Sequence, residues 1–361
     1  MSPGYLAPLV VDAAVLALHL LLPARHVRGY VRGSDGKRLG YRLNGLGVLL
    51  AVLVLYAAAG RQGLIPWDYF WQVRWEGLLG ACALGVLFTL AIVLGAKPTG
   101  KGLLVDLYLG RRENPQWVGK DGRALVDAKM YLYLIGAVQL ELNVLSFAAH
   151  QALAHPGAVS PGALLYTALF SFFVCDYLLF EEVHLYTYDF IAERLGFKLG
   201  WGCIAFYPYF YGVGLWAVAD RTDPHTPVPL LVLYVLVFFV GWVLSRGANL
   251  QKFLFKTRPE AKLLGLIAPE AVGEGQHRLL CSGFWRLSRH INYLGEILMA
   301  VGLTLVLGWP LSPVPWLYPL YYVGLLLPRQ LDDDRRCEKK YGALWKEYCR
   351  RVPSRIIPGL Y

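Results

Sequence analysis

Nine stretches of this chain are apolar over nearly the length needed to cross a lipid bilayer as a helix, and this pattern constrains the fold more than any other feature. They run at about 6–22, 43–59, 78–95, 131–154, 163–180, 199–219, 229–245, 291–309 and 313–327, with room for a tenth. A helical span needs roughly 20 residues. Backbone amides in lipid must find partners within their own segment, and the runs are too long and too unalternating for barrel strands. The expected fold is therefore all-α, a polytopic transmembrane helix bundle of nine to ten spans. Composition agrees: 56% of the 361 residues are hydrophobic and 17% charged, against about a quarter charged in soluble domains.

The net charge of +10 invites a nucleic-acid reading, but its placement points elsewhere. Lys and Arg number six in loop 24–42, seven in 96–130, two in 181–198, eight in 246–290 and nine in 328–361, while loops 60–77 and 220–228 hold the other three. Alternate loops are thus basic and nearly bare, the positive-inside pattern, which predicts that the basic loops and the C-terminal tail face the cytoplasm. The partner implied is the lipid bilayer, with no nucleic acid. Nine spans put the N-terminus outside and ten put it inside. The first run lacks a basic leader and a small-residue cleavage pattern, so it reads as a retained helix. The six cysteines show no C-x-x-C spacing, and neither a disulfide framework nor a zinc site is expected.

Turn residues punctuate the loops at Ser34-Asp35-Gly36, Lys97-Pro98-Thr99-Gly100, Gly119-Lys120-Asp121-Gly122 and Thr222-Asp223-Pro224. In the tail, Leu331, Cys337, Tyr341, Leu344, Trp345 and Tyr348 recur at three- and four-residue spacing, which predicts a helix over 329–349 with one apolar face docked on the protein surface. A tail of this kind can be a basic interfacial helix holding anionic lipid. The run Asp332-Asp333-Asp334 would be repelled by an anionic surface, and a carboxylate run beside a cationic loop fits a binding site better.

Ionisable groups inside spans are costly and mark functional candidates. Here they are Asp12, His19, Glu141, His150, Asp176 and Glu296, with Glu181 and Glu182 at a helix end. Each alone also serves as a buried interhelical hydrogen-bonding group. Glu296 lies one turn from Asn292 and shares its face. The run 199–219 holds Trp201, Phe206, Tyr207, Tyr209, Phe210, Tyr211 and Trp216 around Pro208, which predicts a kink beside a pocket for a flat apolar ligand. After span seven come Arg246, Asn249, Gln251, Lys252, Lys256 and Arg258, a set able to pair phosphates or simply to anchor the loop by charge. No G-x-G-x-x-G after a strand and no G-x-x-x-x-G-K-S/T is present, which excludes Rossmann and P-loop nucleotide sites.

From about Leu39 to Tyr361 the chain resembles the membrane sterol reductases, the family of Δ14-, Δ7- and Δ24(28)-sterol reductases that includes the lamin B receptor. The stretches that carry the resemblance are Leu39-Gly40-Tyr41-Arg42-Leu43-Asn44-Gly45, Glu113-Asn114-Pro115, Asp127 with Lys129, Glu181-Glu182 with Thr187 and Asp189, Ala248-Asn249 with Gln251-Lys252, Ser288-Arg289-His290-Ile291-Asn292-Tyr293-Leu294-Gly295-Glu296, and the tail from Asp333. The resemblance implies a ten-helix integral membrane enzyme that reduces a sterol double bond, most simply a Δ14 or Δ7 ring olefin, with NADPH. It reads as a single domain over 1–361, with N-terminal spans at 1–198 and the cofactor- and substrate-binding half at 199–361. The implied cofactor set is Lys252, Lys256, Trp285, Arg289, His290, Asn292, Tyr293, Asp333, Cys337 and Tyr348, in a pocket facing the cytoplasm. The implied reaction centre is Tyr211 with Asp333 and Glu182 as acids, and no metal. The implied substrate is a sterol or other polycyclic lipid, and the location is a bacterial inner membrane or the endoplasmic reticulum.

The chain departs from the family pattern at Cys203, where many relatives have Asp, at Leu134-Ile135-Gly136 in place of Arg-Pro-Gly, and at Asp332 in place of Arg. Two alternatives share part of the wording. Isoprenylcysteine carboxyl methyltransferases, which bind S-adenosylmethionine, carry Arg-His-Pro-x-Tyr where Ile291 stands here. Steroid 5α-reductases share the Asn292-to-Glu296 pattern.

Overall fold

The computed structural model describes residues 2–33, 35–275 and 277–361. They form two compact units, Met1–Asp223 and Pro224–Tyr361. Ser34 of the expected turn lies outside the described residues, and Gly36 beside it takes φ 75°.

The first unit is built on helices α1 (Ala7–Leu21), α2 (Gly45–Arg61), α3 (Arg74–Leu94), α4 (Ala128–Ala154) and α5 (Pro161–Leu179). Strands β1 (Arg25–Arg32) and β2 (Arg38–Leu43) pair antiparallel between α1 and α2, and β3 (Gln116–Val118) and β4 (Ala124–Asp127) pair before α4. Arg42 closes the last turn of α1 by donating to the carbonyls of His19, Leu20 and Leu22 at 3.0, 3.1 and 2.7 Å, groups that a helix end leaves without intrahelical partners. Asp127 caps α4, its carboxylate accepting from the backbone amides of Lys129 and Met130.

α4 is the buried axis of this unit, packed against α1, α2 and α5. Its polar side chains therefore need internal partners, and several have them, while Gln139 Oε1, Glu141 Oε2 and Gln151 Nε2 have none among the described residues. The fully buried Lys129 donates to the carbonyls of Asp189, Phe190 and Glu193 at 2.9, 3.3 and 2.7 Å. Gln139 donates to Asn143, and Asn143 donates to the Pro208 carbonyl at 2.9 Å. The proline-bearing run does not form one helix. It is broken into Phe197–Trp201, a π-helical turn at Gly202–Phe206, Tyr207–Phe210 and Val213–Val218, and π turns concentrate at functional sites.

The second unit pairs α6 (Val228–Thr257) with α7 (Ile291–Val306), linked through the short ribbon β5 (Ala271–Val272) and β6 (Leu279–Leu280). Gly241, Gly295 and Gly302 let these two backbones touch: a Cβ on Gly241 would lie 2.6 Å from the Gly295 carbonyl oxygen. α8 (Pro313–Tyr341) follows, then α9 (Ala343–Arg351). The single helix expected over 329–349 is interrupted at Gly342, whose φ of 53° is left-handed and suits glycine alone. The apolar face of the tail meets the ribbon: Trp345, Tyr348 and Val352 cluster with Val272 and Cys281. Beyond α9 the chain turns back on itself, and the Tyr361 carbonyl accepts from the amides of Arg355, Ile356 and Ile357.

The structure is mostly helical, and the three short ribbons are additions to the all-α expectation. Among the described residues, five helical stretches are long and apolar enough to cross a membrane: Pro3–Leu21, Arg74–Leu94, Ala128–Ala154, Pro161–Leu179 and Val228–Thr257. Gly45–Arg61 and Ile291–Val306 are shorter apolar helices. The run 313–327 is the first half of α8, which continues into the charged stretch containing Asp332-Asp333-Asp334.

Candidate functional site

The second unit gathers the start of α7, the C-terminal part of α6 with the loop after it, and the tail; Asn249, Gln251, Lys252 and Lys256, expected in a loop, lie on α6. Gln251 of α6 shapes the approach to α7: its side chain donates to the Ser282 carbonyl and accepts from the Phe284 amide, both at 3.0 Å, across Gly283 at φ 58°. That turn seats Trp285, whose indole N–H donates to the Ala248 carbonyl at 2.9 Å, with the Lys252 ammonium 5.7 Å from its ring centre. One turn further along α6, Lys256 lies 5.8 Å from the Phe255 ring, and Arg278 approaches the same ring at 5.1 Å. Across the helix pair, Asn292 Nδ2 donates to Asn249 Oδ1 at 3.3 Å, and Ser245 donates to Glu296 at 2.5 Å.

The tail is fastened to the start of α7 by backbone and by charge. The amides of Arg289 and His290 donate to the Ser354 and Arg355 carbonyls at 3.0 and 2.8 Å, and the Ser288 hydroxyl donates to the Ile356 carbonyl. Asp334 stands at the centre. It receives Gln330 at 2.7 Å and lies 3.4 Å from His290, 3.7 Å from Arg355 and 3.8 Å from Arg289. Burial works to raise its carboxyl, but the His290 hydrogen bond and the charges of Arg289, His290 and Arg355 outweigh it and hold the group below the usual carboxylate range. Arg289, 8% exposed, contacts the Cys349 sulfur through Nη1 and sits 5.7 Å from the centre of the Trp345 ring. His290 stacks on Tyr293 at 5.0 Å.

All ten residues of the expected cofactor set thus fall in this unit. Lys252 is brought to Trp285, Asn292 to Asn249, and Arg289 and His290 to Asp334. Tyr348 and Cys337 join the tail cluster. Asp333 is half-buried, and its charge reaches Cys337, whose thiol is pushed up to about 12 by burial and then by that carboxylate. Burial also raises the Tyr348 phenol, with Arg289 opposing it.

Three groups here suit a phosphate-bearing dinucleotide. Lys252 and Lys256 form no salt bridge among the described residues, and the buried Oδ1 of Asn292 has no hydrogen-bond partner there. A buried acceptor left open is costly and calls for a donor from a ligand or water.

The other two expected catalytic residues belong to the first unit. Tyr211 follows the Tyr207–Phe210 turn, its carbonyl accepting from the Tyr166 hydroxyl at 3.2 Å and its ring edge-on to Tyr207 at 4.6 Å. Glu182 is a partly exposed partner of Arg25 at 3.0 Å. The buried carboxyl of that pair is Glu181, which accepts the Gly45 amide at 3.0 Å and is raised to about 7 by burial, against the opposing effects of that hydrogen bond and Arg25. Sequence reading singled out Asp333 from the acidic run and gave Asp334, Gln330 and Arg355 no role of their own in the site. The signal for the first two was the i, i+4 spacing of Gln330 and Asp334, which places them on one helix face.

Comparison with known proteins adds the remaining finding. Residues 10–361 match the Ergosterol biosynthesis ERG4/ERG24 family. The chain is 33% identical over 381 residues to a Delta(14)-sterol reductase of Arabidopsis thaliana, covering 100% of this chain and 99% of that protein. It is 32% identical over 371 residues to Delta(14)-sterol reductase TM7SF2 of Mus musculus, covering 100% and 86%. A Delta(14)-sterol reductase of Methylotuvimicrobium alcaliphilum is 31% identical over 356 residues, covering 96% and 80%.

Proposed function

The chain belongs to the ergosterol biosynthesis ERG4/ERG24 family of sterol reductases, and from that premise we propose that it reduces the Δ14 ring double bond of a sterol with NADPH. The choice of bond follows the relatives, which are named Delta(14)-sterol reductases. The observation that supports the cofactor most directly is the combination of two lysines without salt-bridge partners, Lys252 and Lys256, with the open Asn292 acceptor beside a tail fastened to the same helix start.

When bound, NADPH supplies the hydride. An isolated alkene does not accept hydride until one carbon is protonated, so the share of the chain is to hold a proton donor against that bond and to keep water away. Tyr211, Asp333 and Glu182 are the candidate donors. Tyr211 sits in the most aromatic stretch of the chain, and ring faces there stabilise a carbon that becomes cationic on protonation. Lys252 and Lys256 bind phosphate, and Trp285, Asn292 and Tyr293 orient the cofactor. Arg289 and His290 keep the tail in place through Asp334. The substrate enters from the bilayer, crossed by nine to ten spans, and the basic loops and tail face the cytoplasm, where the cofactor is available.

Membranes containing the protein, supplied with NADPH and Δ14, Δ7 and Δ24 sterols, should convert the Δ14 substrate, identified by product mass. Asp333→Ala and Tyr211→Phe should each lower turnover by about 100-fold. Full activity in both variants removes the proposed centre. Binding of labelled S-adenosylmethionine instead of NADPH assigns the chain to methyl transfer.

A further inference from the structure

A polar opening lies among the residues of the tail. It is an open cleft of about 350 Å³ between α8 and α9, and of the ten residues expected to hold the cofactor only Arg289 lines it. Four cations face it, Arg289, Arg335, Lys346 and Arg355, against two carboxylates, Asp334 and Glu338. The surplus is two positive charges.

Those charges are not spent on one another. Asp334 is already shared among Arg289, His290 and Arg355, and the exposed Arg335 and Lys346 form no salt bridge among the described residues. Arg289, which lines the cleft and is nine-tenths buried, leaves its Nε without a hydrogen-bond partner among the described residues, and its ion pair with Asp334 spans 3.8 Å, beyond hydrogen-bonding distance. A buried guanidinium donor without an acceptor is expensive unless an anion completes it. The Trp345 ring limits the freedom of the guanidinium, presenting a planar fork of the kind that grips phosphate oxygens.

We propose that this cleft is a second anion site, separate from the cofactor pocket, which takes the phosphate of a phosphate ester. A phosphate monoester carries up to two negative charges, matching the surplus. The ester can come from an anionic phospholipid headgroup or from a soluble phosphate. Its binding ties α8, α9 and the start of α7 together through Arg289, Lys346 and Arg335.

Cys349 lines the cleft and is half-buried, which provides a local footprint. Full-length protein in phosphatidylcholine nanodiscs is pulsed with N-ethylmaleimide and labelling of Cys349 is read by mass spectrometry, with the same protein free of added phosphate as the reference. One arm adds glycerol 3-phosphate, a second replaces part of the lipid with phosphatidic acid, and a third adds NADPH alone. The expected result is a several-fold slowing of Cys349 relative to the phosphate-free protein in at least one phosphate arm and none with NADPH. Protection in the lipid arm alone identifies a headgroup, and protection in the glycerol phosphate arm alone identifies a soluble ester. The double variant Arg335→Ala with Lys346→Ala, both exposed side chains, should lose the protection while binding NADPH unchanged. No protection in either arm overturns the site, as does protection that survives the double variant. Protection by NADPH alone also overturns it, because the cleft would then be part of the cofactor pocket. None of these outcomes depends on sterol turnover, so failure of the reductase reading and failure of the second site are distinguishable.

Discussion

Glu181 in the first unit and Asp334 in the second are both carboxylates from short acidic runs, both are removed from water, and their surroundings drive them in opposite directions. Glu181 meets a backbone amide at 3.0 Å, while the nearby Arg25 forms its salt bridge with Glu182, and burial wins, raising the group to about 7. Asp334 meets Gln330, His290, Arg289 and Arg355 together, and the donors win. Burial alone therefore does not decide the protonation state of an acid. The balance between burial and the charges and hydrogen bonds around it does.

The largest effect that tests this contrast is at Asp334. Asp334→Asn keeps the shape but removes the charge that Arg289 and Arg355 share, and unfolding should be easier by about 3 kcal/mol at pH 7, read from denaturant or thermal melts. A depressed carboxyl stabilises above its unfolded pKa of about 3.9 and loses that contribution as pH falls through its lower folded value. The variant and the parent should therefore converge only below that folded value. Asp333→Asn should leave the melt within about 0.5 kcal/mol, and an equal loss there would erase the distinction between the two neighbours.

Glu181 should behave in the opposite sense. Its raised carboxyl leaves it unstressed below the unfolded value and increasingly costly as pH rises through about 7. Glu181→Gln retains an acceptor for the Gly45 amide and should stabilise by about 2 kcal/mol at pH 8 with no gain at pH 4. A loss at pH 8 would mean that the ionised form is the one the fold prefers. The smallest effect belongs to the partly exposed Arg25–Glu182 pair. Glu182→Gln should change the melt by no more than about 1 kcal/mol, and by less in high salt.

The same two places mark the limit of what could be read from residue order. Apolar run length located helical segments, because lipid forces backbone pairing within a segment, but among the described residues five of them are long and apolar enough to span, and the run 199–219 is broken into four pieces. The wording around Arg289 and Asn292 was equally readable, since it is local. The choice between Glu181 and Glu182, or between Asp333 and Asp334, was not local. It depends on which side of a helix meets Gly45, or Arg289 and Arg355, residues from 21 to 136 positions away. The ribbon at 271–280 was hidden for a related reason: two-residue strands carry no alternation to detect, and this one is held by Trp345 and Tyr348 from the tail. The π turn at Gly202–Phe206 likewise leaves no mark in a pattern already dominated by aromatic rings.

The glycine seam between α6 and α7 has a mechanical consequence. Where side chains separate two helices, rotamers can yield and one cylinder can slip past the other. Here Gly241 and Gly302 bring main chain against main chain, so the pair has no compliant layer to absorb displacement. Asn249 and Asn292 ride on opposite members of that pair. Any movement that loads or releases a ligand in this half must then be made by the loops and the tail around a stationary two-helix post.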